Sequence, residues 1–145
     1  MNPKAFQLLA CAILAVNSCA ASPMQPGTLA STDILVSALQ QQGATVTRAG
    51  TMPRSAYPFF SVAAQRIVVN ESDVVVFEYE CSSRADADAS RISATGTPIG
   101  QSQISWMDTP NFFKRDRLMV LYVGHSADVL RPLEAVLGSR FAGGD

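Results

Sequence analysis

Histidine, cysteine and charge are all scarce in this 145-residue chain, and each scarcity closes off a class of function. There is one histidine, His125, and there are three cysteines, Cys11, Cys19 and Cys81. Metal centres take several ligands at recurrent spacings from residues of this kind. No such spacing occurs here, and neither a metal nor a cofactor is expected. Charged residues make up 16% of the chain and the net charge is −1. Nucleic acid and strongly anionic membranes would demand a basic footprint that is missing. There is no glycine-rich phosphate loop and no nucleophile elbow. The longest apolar stretch near the N-terminus, Leu8 to Val16, is far short of the roughly 20 residues that span a bilayer.

That stretch nevertheless has the form of an export signal. Lys4 supplies a positive start, the apolar segment follows, and Ser18, Cys19, Ala20 and Ala21 are small enough for a peptidase site. Val16-Asn17-Ser18-Cys19 resembles a bacterial lipobox, in which the cysteine becomes lipidated, although Asn17 departs from the usual residue. Cleavage after Ala20 or Ala21, with loss of Cys19, is the plainer alternative. The expected organisation is a signal over residues 1–19, a flexible Pro- and Gly-containing linker over 20–31, and one domain over 32–145. The chain is expected at the cell envelope, anchored through Cys19, or else secreted or periplasmic.

An apolar content of 48% argues for a packed globule. The organising stretch is Asp73 to Glu80. With a period of two, Val75, Phe77 and Tyr79 share one face, and Val74, Val76, Glu78 and Glu80 share the other. Residues 66–70 should pair with it through a turn at Asn70-Glu71-Ser72-Asp73, where the glycosylation-like triplet reads as turn chemistry. Leu118 to Val123 is apolar on both faces and should be a central strand. Further strands are expected at 44–48, 59–64 and 101–107, with loops at 50–58 and 93–100 and a Pro-containing loop at 106–117. Helices are expected from Ser31 or Thr32 to Gly43, over 84–92, and after Ser126, where Pro132 kinks or restarts the last one. The fold class is therefore α+β: an antiparallel sheet of about five strands with helices packed on one face. The order also allows two ββα units after an N-terminal helix.

Two constellations invite a functional reading. Cys81 and His125 each follow a strand and precede a helix, so both could meet at one sheet edge as a thiol and its activating imidazole. With Cys19 lipidated, Cys81 would have no partner for an intrachain disulfide. The aromatic loops offer a contact surface instead: Tyr57, Phe59 and Phe60 in one, and Trp106, Phe112 and Phe113, beside Lys114, Arg115 and Arg117, in the other. Glu78 and Glu80 form a smaller acidic site, read mainly as a solvated sheet end.

Pro58-Phe59-Phe60-Ser61-Val62, Val76-Phe77-Glu78-Tyr79, Ile99-Gly100, Trp106 and Pro110-Asn111-Phe112-Phe113 leading into Leu118 to Gly124 together resemble a group of small exported bacterial proteins, often labelled as lipoproteins. The resemblance runs over most of residues 31–142. It implies export and a small α+β domain, and it carries over no catalytic residue. Taken together, these features lead us to expect a non-enzymatic envelope domain that binds a protein or small ligand through its aromatic loops. The alternative is a small cysteine-dependent enzyme using Cys81 and His125, and a third reading is assembly through an open sheet edge.

Overall fold

The computed structural model describes Cys19 and residues 28–144; the rest of the expected export signal and most of the expected linker lie outside them. In chain order the elements are α1 (Thr32–Gln41), β1 (Val46–Thr51), a 3-10 turn (Arg54–Ala56), β2 (Ala64–Val69), β3 (Ser72–Glu78), α2 (Ser82–Ala89), β4 (Pro110–Arg115), β5 (Leu118–Val123), α3 (Ala127–Leu137) and β6 (Ala142–Gly143). The strands form one antiparallel sheet in the order β1-β2-β3-β5-β4-β6. The α+β class and the antiparallel sheet are as expected, with six strands in place of about five.

The hairpin expected around Asn70 is the hub. Val69 pairs with Ser72, leaving Asn70 and Glu71 as a two-residue turn with φ of 45° and 69°. Positive φ at both positions marks the turn whose twist suits a hairpin, and asparagine tolerates that conformation better than most residues. β3 then lies beside β5 with Val74 opposite Tyr122 and Glu78 opposite Leu118. These two strands are the apolar centre of the sheet.

Each sheet face carries its own core. On one, Val74, Val76, Phe113, Leu118 and Val120 pack under α1 and α3 through Leu35, Leu39, Val129 and Leu133. On the other, Val75, Phe77, Tyr79, Phe112, Met119 and Leu121 are covered by α2 and by the loops at 52–62 and 92–106. The expectation that helices share one face therefore holds for α1 and α3 only. Two ββα units are present, β2-β3-α2 and β4-β5-α3, but their helices lie on opposite faces. A two-fold axis normal to the sheet would keep both on the same face, so the units are not related by that operation.

Helix starts follow the sequence closely. Ser31 Oγ accepts the Ile34 N–H to cap α1, and Asp33 sits in the first turn. α3 runs through Pro132 without stopping. Proline has no N–H to give to the carbonyl four residues earlier, which belongs to Asp128. Asn70 Nδ2 donates to that carbonyl instead, at 2.8 Å. Asn70 Oδ1 meanwhile accepts the Thr45 N–H at 2.8 Å. One turn side chain thus joins β1, the central hairpin and α3, an occupation that fits turn chemistry better than a glycan.

This gives a graded prediction. Asn70→Ala loses both bonds and puts an alanine at positive φ, for a cost of about 2 kcal/mol. Asn70→Gly loses the same bonds but relieves the backbone, for about 1 kcal/mol. Urea midpoints of the two variants should fall in that order.

Two expected elements are displaced. Residues 101–107 make no strand beyond an isolated bridge of Ser102 with Ile99, and residues 59–64 form a loop that turns into β2 only at Ala64. Pro110 to Arg115, expected as loop, is β4. Proline at the first position of a strand costs no ladder bond that matters, and the alternation Phe112/Phe113 onto opposite faces is that of a strand.

Candidate functional site

Strand direction separates the expected thiol–imidazole pair. Cys81 follows the Glu78 end of β3, whereas His125 follows the Tyr122 end of β5. Since Val74 pairs with Tyr122 and Glu78 with Leu118, the two residues leave the sheet at opposite ends. Four residues of strand alone span about 13 Å, beyond any hydrogen bond. Cys81 is also consumed: its Sγ is bonded to Cys19 Sγ, with a Cα–Cα distance of 5.6 Å. That bond corrects the expectation that Cys81 would lack an intrachain partner. A Cys19 sulfur in a disulfide cannot at the same time carry a lipid through a thioether.

The aromatic loops fold inward. Phe60, Phe112 and Phe113 are fully buried. Tyr57 and Phe60 meet Phe77 edge-on at 5.4 and 4.6 Å, and Trp106 meets Phe112 at 5.9 Å. Tyr57, Phe59 and Trp106 are half-buried and pack on the second core, and the Trp106 indole donates to the Gly96 carbonyl at 3.0 Å. Of the six aromatics expected as a contact surface, three are therefore core and three are half-buried against it. A small domain whose second sheet face carries only the short helix α2 needs these loops to complete its cover. The basic residues beside them are also engaged: Lys114 pairs with Asp86 at 2.5 Å, Arg115 donates to the Val136 carbonyl at 2.6 Å, and Arg117 pairs with Glu78 at 3.2 Å.

Glu78 is an anchor and not an open acidic contact. Its Oε2 accepts both the N–H and the hydroxyl of Thr32 at 2.9 Å, and Arg117 also donates to the Ala30 carbonyl. Asp116 accepts the Leu29 N–H at 2.7 Å. The entry to the domain is thus fastened to the end of the sheet that carries Cys81.

What the opposite end offers is a pair of open polar hollows. The larger, of about 550 Å³, lies between the C-terminal end of α1, the β2–β3 turn and the start of α3, and is lined by Thr45, Asn70, Glu71, Ser126, Asp128 and Arg131 among others. The second, of about 530 Å³, shares Ser126 and adds Ser72, Asp73, Asp108, Tyr122 and His125. His125 Nδ1 stands 3.1 Å from Asp108 Oδ2. The Asp108 carboxyl is held below its usual range, first by the Thr109 N–H and then by its hydrogen bond with His125. Asp73 is paired with Arg66 at 3.6 Å.

This end is built from rigid elements, since the Asn70 bridge fixes the turn against α3 and β1. It holds hydrogen-bonding groups of both kinds, with Ser72, Ser126 and the His125–Asp108 pair around one hollow. Among the described residues no three His, Cys, Asp or Glu side chains are grouped to hold a metal ion, and no helix is long and apolar enough to cross a membrane. These groups are suited to hydrogen-bonding a polar group or loop. No protein-family model, no curated protein and no solved structure matches the chain.

Two features of the sequence pointed toward this end without being read that way. Pro132 inside a helix implies a free carbonyl that must find another donor, and asparagine at a hairpin turn is a ready one.

Proposed function

We propose that the chain is an exported, non-enzymatic binding domain of the cell envelope that keeps Cys19 and holds it in a disulfide with Cys81. Its contact with a protein or small polar ligand falls on the hollows around Asn70, Ser126 and His125. The aromatic loops are left to the core.

The observation that carries this reading is the Cys19–Cys81 bond. Disulfides persist in oxidising compartments and are rare in reducing ones, which agrees with the export signal expected from Lys4 and Leu8 to Val16. The same bond removes the one thiol on which the cysteine-enzyme alternative depended. It also favours cleavage before Cys19 over cleavage after Ala20 or Ala21, because the later cut would discard half of the bond.

The test is an intact mass, measured without reductant, on protein from both the soluble and the membrane fractions of the producing cell. The expected result is a chain starting at Cys19, lighter than the dithiol by two hydrogens, that takes up no alkylating agent until it is reduced. A mass increased by acyl chains, found only in the membrane fraction, would instead assign Cys19 to a lipid anchor. A reduced chain still carrying Met1 would remove export itself.

A further inference from the structure

We infer that the Cys19–Cys81 disulfide is a polarised exchange site for thiolates, which add to the Cys19 sulfur and release the Cys81 sulfur. Both cysteines are half-buried, so the bond is within reach of a thiolate from solvent, whether a small thiol or the cysteine of an oxidoreductase. The two sulfurs differ in what lies behind them. Cys81 is the N-cap residue of α2, with extended φ and ψ of −156° and 165°. The first intrahelical bond runs from the Ala85 N–H to the Cys81 carbonyl. The N–H groups of Ser82, Ser83 and Arg84 therefore have no partner within the helix and form its positive end.

The Ser83 hydroxyl lies 3.1 Å from Cys81 Sγ, in place to donate to it. No carboxylate occupies the first turn of α2. The neighbouring Glu80 is exposed, and solvent and salt screen its charge. Cys19 lies outside any helix. Negative charge that develops during exchange is thus better accommodated on Cys81.

In the step itself, the incoming thiolate forms a new S–S bond to Cys19 Sγ as the Cys19–Cys81 bond breaks. The electron pair stays on Cys81 Sγ as a thiolate at the helix end. One disulfide is exchanged for another, and a second thiolate that attacks the mixed disulfide carries the bond away as its own disulfide and leaves both protein cysteines reduced. The better leaving group is the thiol of lower pKa. The domain stays closed throughout, because Leu29, Ala30 and Thr32 remain held by Asp116, Arg117 and Glu78. Exchange therefore changes what Cys19 is joined to and leaves the fold in place.

The test uses the full chain, purified with Cys19 present and first oxidised with glutathione disulfide, so that its outcome does not depend on where the protein resides in the cell. A brief pulse of reduced glutathione is stopped with acid, free thiols are alkylated, and the peptides are quantified by mass. Glutathione on Cys19 with alkylated Cys81 should exceed the reverse adduct by at least about three-fold. Ser83→Ala should move that ratio toward one. A ratio at or below one in the unaltered chain, or oxidised protein that yields no Cys19–Cys81 cross-linked peptide, would overturn the inference.

Discussion

Replacing Asp88 by alanine is expected to lower stability by about 3–5 kcal/mol, as a buried acceptor with several donors is lost at once. Asp88 faces inward from α2 and is 6% exposed. Its Oδ2 accepts the Ser61 N–H at 2.7 Å, the Ser61 hydroxyl at 2.8 Å and the Tyr79 hydroxyl at 2.9 Å. Arg91 stands 3.8 Å from Oδ1 and donates to the Phe59 carbonyl at 2.6 Å. The pair clamps the 57–62 loop to α2, and that loop delivers Phe60 to the second core. Alanine would leave the buried Tyr79 hydroxyl and the Ser61 N–H without an acceptor. Asp88→Asn keeps an oxygen in place and should cost about 1–2 kcal/mol. Urea unfolding of the two variants is the measurement; a loss below about 1 kcal/mol for alanine would mean that the loop is held by its aromatics alone.

The same cluster sets an alkaline limit. Tyr79 has its pKa raised, mainly by burial and then by the charge and hydrogen bond of Asp88. The unfolded chain loses a tyrosine proton near the ordinary value of about 10. Above that pH the unfolded state binds fewer protons than the folded one, so stability falls as pH rises. In a spectrophotometric titration the Tyr79 step should therefore coincide with unfolding, and in Tyr79→Phe that step should be missing.

How far the fold was readable depends on whether a residue's role was set locally. The Asn70 hairpin, the Ser31 cap and the apolar run Leu118 to Val123 are decided by neighbours within a few residues, and all three form where the pattern placed them. The roles of Cys81 and His125 depended on strand direction, which spacing along the chain does not express. Asp88 could have been read differently: Ala85, Asp88 and Ala89 share one stripe of α2, so a carboxylate on an otherwise apolar face implied a buried partner. The polar hollows at the His125 end left little trace, because they arise where α1, the β2–β3 turn and α3 converge in space.

Phe112→Ala and Phe113→Ala should each cost about 3–5 kcal/mol, the range for deleting a buried aromatic ring. On a solvated contact loop the same changes would fall within about 0.5 kcal/mol. The two residues are adjacent in β4 and point to opposite faces. Phe112 packs against Trp106 and Phe141, with ring centres 5.9 and 6.2 Å away, while Phe113 belongs to the core under α1 and α3. Each substitution therefore opens a cavity in a different core, and neither can be refilled by the other's neighbours. Met107, one residue from Trp106 and fully exposed, supplies the contrast: Met107→Ser should leave the unfolding midpoint nearly unchanged. A small domain has a total stability of only about 5–15 kcal/mol, so the double variant Phe112→Ala/Phe113→Ala should be largely unfolded at room temperature by circular dichroism. If instead both single variants were as stable as the parent, the ring positions in β4 would have to face solvent, and the aromatic contact surface would again be the better reading of this segment.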